Sequence, residues 1–328
     1  MDAASSGVRV SVIIPAFGAA NPEALAIAVR SVRDQKHADV EILVVEEHIS
    51  ARRFDEIATT LGATYICYPV DERDGFSIGR ARNAGLLRAT GSIVLMQDAD
   101  IALASSGFLV HLVQLCQQEP SCFFTAAPLR HFQKHEISAW RNALAGGARV
   151  ADYLATCRLY DGVVYSALAP ERVSLIKVPH PYNPEKQDRE YVIDRSAYVA
   201  YRAATQGWSG NEPLLFTPCV WKGLVACSRD LLLQVGGYCE EYRRWGGEDG
   251  DIKWKLSHIS RSWSLADDDD CLGVHMDHER PYFARDVYAN NKALSAARRA
   301  RGFASTVAAD LAGNAPVAAA LRMTRGAQ

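Results

Sequence analysis

No apolar run in this chain approaches the roughly 20 residues that a membrane-spanning helix requires, so no membrane span is expected. Basic residues are not in excess. The 36 Lys and Arg stand against 38 Asp and Glu, for a formal net charge of −2, which removes the charge footprint of a nucleic-acid binder. The opening segment Met1–Gly7 lacks the basic and apolar regions of a signal peptide, and a cytoplasmic location is the default expectation. The eight cysteines include no C-x-x-C pair, and several sit inside apolar runs. That pattern predicts buried, reduced thiols rather than a disulfide framework or a structural zinc site. There is no internal repeat, and no feature specifies an oligomeric state. What remains is a chain of 328 residues, 48% hydrophobic and 23% charged, with material for one large α/β domain or two small ones.

The first third alternates strand and helix patterns at βαβ spacing. Strands are predicted at Val8–Pro15, Glu41–Val45, Thr64–Tyr68 and Ile93–Met96, and helices at Glu23–Val32, Arg53–Leu61 and Gly79–Ala89. Near-continuous apolar strands with helices between them imply a mostly parallel central sheet flanked by helices, buried on both faces. Ligands of such sheets sit beyond the carboxyl ends of the strands, which here are Pro15–Ala19, Glu46–Ser50 and Asp98–Asp100. A helix at Gly107–Gln118 and a strand at Cys122–Ala126 follow. Trp140–Arg158 reads as helical with a Gly146-Gly147 interruption. Val178–Gly210 is polar, rich in Pro and Tyr and without a period, as long functional loops often are. Order returns at Leu224–Cys227. Ser228 caps a helix over Arg229–Val235, and Gly236-Gly237 ends it. Ile252–Ser257 reads as helical, and the Ala- and Arg-rich stretch from Ala289 onward reads as a tail, helical or partly disordered.

Two acidic clusters carry the chemistry. A D-x-D triplet such as Asp98-Ala99-Asp100 is expected about once by chance in a chain of this length, so position must decide its meaning. It ends the predicted strand Ile93–Met96, at the ligand edge of the sheet, and alternation puts both carboxylates on one side of an extended backbone. Hard oxygen ligands of this kind suit Mg²⁺ or Mn²⁺ shared with phosphate oxygens. The second cluster, Trp245-Gly246-Gly247-Glu248-Asp249, combines an aromatic wall, two residues that let backbone approach a ligand, and adjacent carboxylates fit for acid–base work. Its simpler reading is a capped helix start with Asp249 paired to Lys253 at i,i+4.

The succession VSVIIPAF, EILVV with following acids, Arg80-Ala81-Arg82-Asn83-Ala84-Gly85, Asp98-Ala99-Asp100 and WGGED resembles inverting GT-A glycosyltransferases of family two. The WGGED element is similar to that of galactosyltransferases and chondroitin-polymerase-type enzymes. The likeness covers about Val8–Ala102 and Val220–Pro281. It implies the GT-A (nucleotide-diphospho-sugar transferase) fold, a nucleotide-sugar donor, with UDP first in line, a hydroxyl-bearing acceptor, Mn²⁺ or Mg²⁺, and single displacement. On this basis residues 1–105 form the nucleotide-sugar half. Residues 106–288 form the acceptor and catalytic half, with a variable insert at 129–218, and residues 289–328 form the tail.

Carried over position by position, Asp98 and Asp100 match the metal and ribose-diphosphate contacts. Pro15, Ala16 and Phe17 match the loop that packs on the nucleotide, and Arg82 and Asn83 the pair near the diphosphate. Glu46 and Glu47 stand where many relatives have Asp on the base or ribose. Asp249 matches the catalytic base, beside Glu248 for acceptor hydroxyls, with Trp245, Gly246 and Gly247 around the acceptor. His275, at the end of the apolar Cys271–Val274 run, matches a third metal ligand, with His278 as the alternative. Two other readings stay open: a non-catalytic nucleotide-sugar-binding protein of the same fold, and a sugar nucleotidyltransferase. The latter needs a Gly-rich basic loop after the first strand, whereas Pro15–Asn21 contains no Arg or Lys.

Overall fold

The computed structural model describes residues 7–17, 20–48, 53–70, 75–132, 140, 143, 146–156, 162–163, 217–218, 220–244, 246–276 and 285–326. The expectations for Val178–Gly210, Trp245 and His278, and part of that for Trp140–Arg158, lie outside these residues.

The chain begins with β1 (Val10–Phe17), α1 (Pro22–Arg33), β2 (Val40–His48), α2 (Asp55–Thr60), β3 (Thr64–Pro69), α3 (Ile78–Arg88) and β4 (Ile93–Met96). Local chemistry sets the helix starts. Asn21 accepts from the Glu23 amide with Pro22 in the first turn of α1, and Ser77 accepts from the Arg80 amide to open α3. Next come β5 (Ile101–Leu103), α4 (Phe108–Gln118), β6 (Cys122–Thr125), β7 (Ala127–Phe132), α5 (Val150–Thr156), β8 (Gly162–Val163), β9 (Thr217–Pro218), β10 (Val220–Trp221) and β11 (Val225–Ser228). The chain closes with α6 (Arg229–Gln234), α7 (Glu248–Leu256), β12 (Arg261–Ser264), β13 (Gly273–Met276), α8 (Arg285–Arg301), α9 (Phe303–Gly313) and α10 (Ala315–Gly326).

The seven-stranded sheet has the order β12-β6-β11-β4-β1-β2-β3. Strands β4, β1, β2 and β3 are mutually parallel, β11 is antiparallel to both β4 and β6, and β12 is parallel to β6. The expected α/β architecture with a mostly parallel central sheet is present, with an antiparallel strand inserted beside β4. The chain winds one way from β1 to β2 and returns to its other side with β4. That reversal opens a crevice at the carboxyl ends of β1 and β4. A smaller sheet, β10-β7-β13-β5, stands at that end.

Alternation along β1 sends Val12 and Ile14 to one face and Ile13 to the other. The first face packs on α1, α2 and α4 through Leu25, Val29, Phe54 and Leu112. The second packs on α3, α6 and α7 through Leu86, Leu232 and Ile252. The C-terminal stretch is helical, one of its two expected forms, and Val317 and Leu321 of α10 belong to that second core, so it packs on the sheet's helices. Burying a Val or Leu side chain stabilises by about 1.5–3 kcal/mol, so two such anchors suffice to fix an Ala-rich helix.

Candidate active site

Topology explains why distant residues meet in the crevice. β1 delivers Pro15 and Phe17 and β4 delivers Asp98 and Asp100. Because β11 runs antiparallel to β4, the chain entering it, Trp221 to Gly223, lies at the end of β4 beside Asp98. Pairing of β13 with β5 sets His275 opposite Ile101, and the Met276 amide donates to the Asp100 carbonyl at 2.8 Å. The first turn of α7 supplies Glu248 and Asp249. These residues line one cleft of about 210 Å³.

Arg82, on α3, joins the two acidic clusters. Its Nη2 donates to Asp98 Oδ1 at 2.9 Å and its Nη1 to Asp249 Oδ1 at 2.5 Å. The side chain is 1% exposed, whereas those of Asp98 and Asp249 are 29% and 30% exposed toward the cleft. The guanidinium carbon also sits 5.0 Å from the centre of the buried Tyr238 ring. Trp221 Nε1 donates to Asp98 Oδ2 at 2.9 Å. Burial opposes the Arg82 charge, yet Asp249, Tyr238 and Asp98 hold its pKa well above the ordinary value. Asp98 is shifted upward, by burial first, with Arg82 working against the shift and Asp249 adding to it. Burial, then the neighbouring Asp249, pushes Glu248 up to about 8.

Asp100 Oδ2 lies 3.4 Å from His275 Nε2, and the imidazole is 7% exposed. A carboxylate and an imidazole nitrogen this close at the wall of a cleft form a donor pair able to share one divalent cation. The mixed oxygen and nitrogen set suits Mn²⁺. Asp98 adds charge beside them, although each of its oxygens already accepts a hydrogen bond from Arg82 or Trp221.

Several expected ligand contacts are instead contacts within the protein. Glu46 is fully buried. Its carboxylate accepts from the amides of Arg53 and Phe54 at 3.0 and 3.1 Å and from the Tyr65 hydroxyl at 2.7 Å, so it braces its own loop. Glu47 accepts from the Ser77 amide and from Arg80 Nε, both at 2.6 Å, which ties β2 to the start of α3. Asn83 donates to the Tyr238 carbonyl and to Glu240, and accepts from the Tyr238 amide at 2.7 Å. Neither glutamate nor Asn83 lines the cleft. Ala16 is 1% exposed and packs in the core. The room left at Gly246 and Gly247 is filled by protein rings. A Cβ there would come within 3.0 Å of Tyr288 and 2.5 Å of Tyr242 respectively. Asp249 pairs with Arg82, while the Lys253 ammonium donates to the Lys222 carbonyl.

Trp221, Lys222 and Gly223 line the cleft and were not expected there. They directly precede the apolar stretch Leu224–Cys227, and only the antiparallel insertion of β11 reveals where they point. Gly223 is spatially required, since a Cβ would collide with the Asp98 carboxylate.

Residues 11–156 match the family described as glycosyl transferase family 2, and residues 212–269 match the N-terminal domain of galactosyltransferase. Among solved structures, the chain is similar to the mannosyltransferase PcManGT from Pyrobaculum calidifontis in complex with GDP-Man and Mn²⁺. That similarity has 16% identity and a TM-score of 0.45, over 97% of this chain and 80% of that one. It is also similar to S. aureus TarS, with 14% identity and a TM-score of 0.46 over 88% of this chain and 39% of that one. For the 1–349 portion of TarS in complex with UDP the values are 13% and 0.45, over 88% and 64%. The chain thus spans less than two thirds of both TarS chains. No curated protein matches it.

Proposed function

We propose that this chain, whose residues 11–156 match glycosyl transferase family 2, transfers a sugar from a nucleoside-diphosphate donor, UDP-linked in the first instance, to an acceptor hydroxyl with inversion. The observation that carries this reading is the meeting of Asp98, Asp100, His275, Glu248 and Asp249 on one cleft.

In the proposed reaction the acceptor oxygen attacks the anomeric carbon from the side opposite the diphosphate, and the bond to the diphosphate oxygen breaks. Asp249 takes the hydroxyl proton; a well-placed base of this kind is worth about 10²–10⁴-fold in rate. Positive charge gathers on the ring as the leaving group departs, as in glycoside hydrolysis. Glu248, with a pKa of about 8, holds its proton at neutral pH and can donate to a sugar hydroxyl while its neighbour accepts. Asp100 and His275, with Asp98 beside them, would hold Mn²⁺ or Mg²⁺, and His278 remains a candidate outside the described residues. When bound, the cation supplies Lewis acidity that draws negative charge from the departing diphosphate. Arg82 keeps the Asp98 and Asp249 carboxylates apart and aimed into the cleft.

The deciding experiment is a thermal-shift screen of UDP-, GDP- and dTDP-sugars, each with Mn²⁺ and with Mg²⁺. Ligand at 100 times its Kd stabilises by about 2.7 kcal/mol, so one donor series should raise Tm only when a cation is present. If no series does so with either cation, the proposal fails.

A further inference from the structure

The loop that leads into α7 has an unusual backbone. Arg244 has φ 55°, and Gly246 and Gly247 have φ 101° and 105°. Backbone in such regions persists only where its surroundings over-determine it. The Phe76 carbonyl accepts from the Arg244 amide at 2.8 Å, and helix α8 provides the remaining surroundings along a single stripe. Tyr288, Asn291, Ser295 and Arg298 are spaced by three, four and three residues, which places them on one helical face. The Tyr288 ring fills the space at Gly246. Asn291, 4% exposed, donates to the Arg243 carbonyl at 2.8 Å and accepts from its amide at 3.3 Å. Ser295 hydrogen-bonds the hydroxyl of Tyr242, whose ring packs on Gly247. Arg298 forks onto Asp251, two residues beyond Asp249, with Nε–Oδ1 at 2.8 Å and Nη2–Oδ2 at 2.9 Å.

Arg298 also bonds both oxygens of Asp310 on α9, at 2.9 and 2.7 Å. Asp310 in turn accepts from Lys255 of α7 at 2.6 Å. Four fully or almost fully buried charges are thereby shared among α7, α8 and α9. Breaking such a set by removing one partner is costly, because the others are left buried and unpaired. None of the four stripe residues lines the cleft. They can affect the reaction only by fixing where Glu248 and Asp249 stand.

We propose that α8 is a splint for the catalytic loop, and that Asn291 and Arg298 are positioning residues for Asp249. The catalytic half of this inference rests on the role given to Asp249 above. The structural half does not. Misplacing a reacting group by about 1 Å can cost on the order of 100-fold in rate. Loss of the splint should therefore lower kcat while sparing cation binding, which depends on β4 and β13.

The test compares Asn291→Ala, Arg298→Met and the control Arg299→Ala in the full chain. Arg299 is exposed and one position away, so the control removes the same charge from the outer face. Hydrogen exchange at the amides of 246–252 should accelerate at least about 10-fold in Asn291→Ala and Arg298→Met relative to the control, with β1 and β4 unchanged. Mn²⁺ affinity measured with the cation alone should stay within about 3-fold of wild type. With the UDP-sugar that supports turnover, kcat should fall about 10–100-fold at little altered donor KM. Loop exchange equal to that of the control overturns the splint, as does acceleration spread evenly into β1 and β4. Asn291→Ala removes the bonds to the Arg243 backbone while leaving the charges of Arg298, Asp251, Asp310 and Lys255 in place, which keeps the test open should Arg298→Met not fold. If wild type transfers no sugar while the loop still loosens as stated, the transferase reading falls and the splint stands.

Discussion

Asp98 and Asp249, one at the end of β4 and the other in the first turn of α7, bond to the two terminal nitrogens of the same guanidinium. Arg82 is therefore both the counter-charge for the site and the ruler between its halves. Arg82→Met should destabilise the protein by about 3–5 kcal/mol, because Asp98 and Asp249 would lose the counter-charge that hydrogen-bonds both of them. Where the variant still folds, losing a positive neighbour favours the protonated form of each carboxyl. The acid limb of the kcat/KM–pH profile should then move to higher pH. A profile that stays in place would separate Arg82 from the working groups.

Asp249→Asn retains shape and hydrogen-bonding reach while removing the proton acceptor. Donor binding, read by calorimetry with Mn²⁺ and UDP, should persist, and transfer should fall by about 10²–10⁴-fold. Unchanged turnover would end the assignment of Asp249 as base.

Much of this site is legible in the sequence because strand ends are. Apolar runs closed by Pro15 and by Asp98 mark the carboxyl edge of a parallel sheet, and the paired acids mark its chemistry. The residues that went unread act through tertiary neighbours. Glu46 and Glu47 follow an apolar strand just as Asp98 does, but short contacts from the amides of Arg53, Phe54 and Ser77 claim their oxygens. Trp221 and Gly223 gain meaning only from the antiparallel entry of β11. The C-terminal helices escaped because their composition is bland. Four stripe positions, plus Val317 and Leu321, tie them to the rest, and no local pattern distinguishes those positions from an exposed Ala/Arg helix.

Asp100 and His275 can be tested without any sugar. Asp100→Asn and His275→Ala should each weaken Mn²⁺ binding, measured by titration calorimetry, by 10-fold or more, with smaller effects on Tm. Chelation of wild type with EDTA should abolish transfer, and added Mn²⁺ should restore it. Activity that survives EDTA would remove the cation from the mechanism.

Glu248 gives a stability signature. Its pKa in the folded protein is about 8 against an ordinary value of 4.5. Between those two pH values the folded state keeps a proton that the unfolded chain has released, so raising pH lowers stability across that window. Glu248→Gln lacks this proton exchange. Its Tm advantage over wild type should therefore grow from about pH 5 to about pH 8 and then level off. Parallel Tm–pH curves for the two proteins would show that Glu248 titrates normally.

Gly223 and Gly250 make an opposed pair. A methyl at Gly223 would press on the Asp98 carboxylate, with Cγ only 3.1 Å from the new carbon, and Asp98 is already held by Arg82 and Trp221. Gly223→Ala should cost about 1–3 kcal/mol as overpacking and reduce binding of UDP with Mn²⁺ at least about 10-fold, since relief requires moving Asp98. At Gly250, in α7 and next to Asp249, a Cβ meets nothing within 4 Å. Gly250→Ala should stabilise by about 0.4–1 kcal/mol through the unfolded chain and leave UDP binding intact. Chemical denaturation and calorimetry on the two variants separate the effects. Equal binding in both would mean that the Asp98 carboxylate does not contact the ligand.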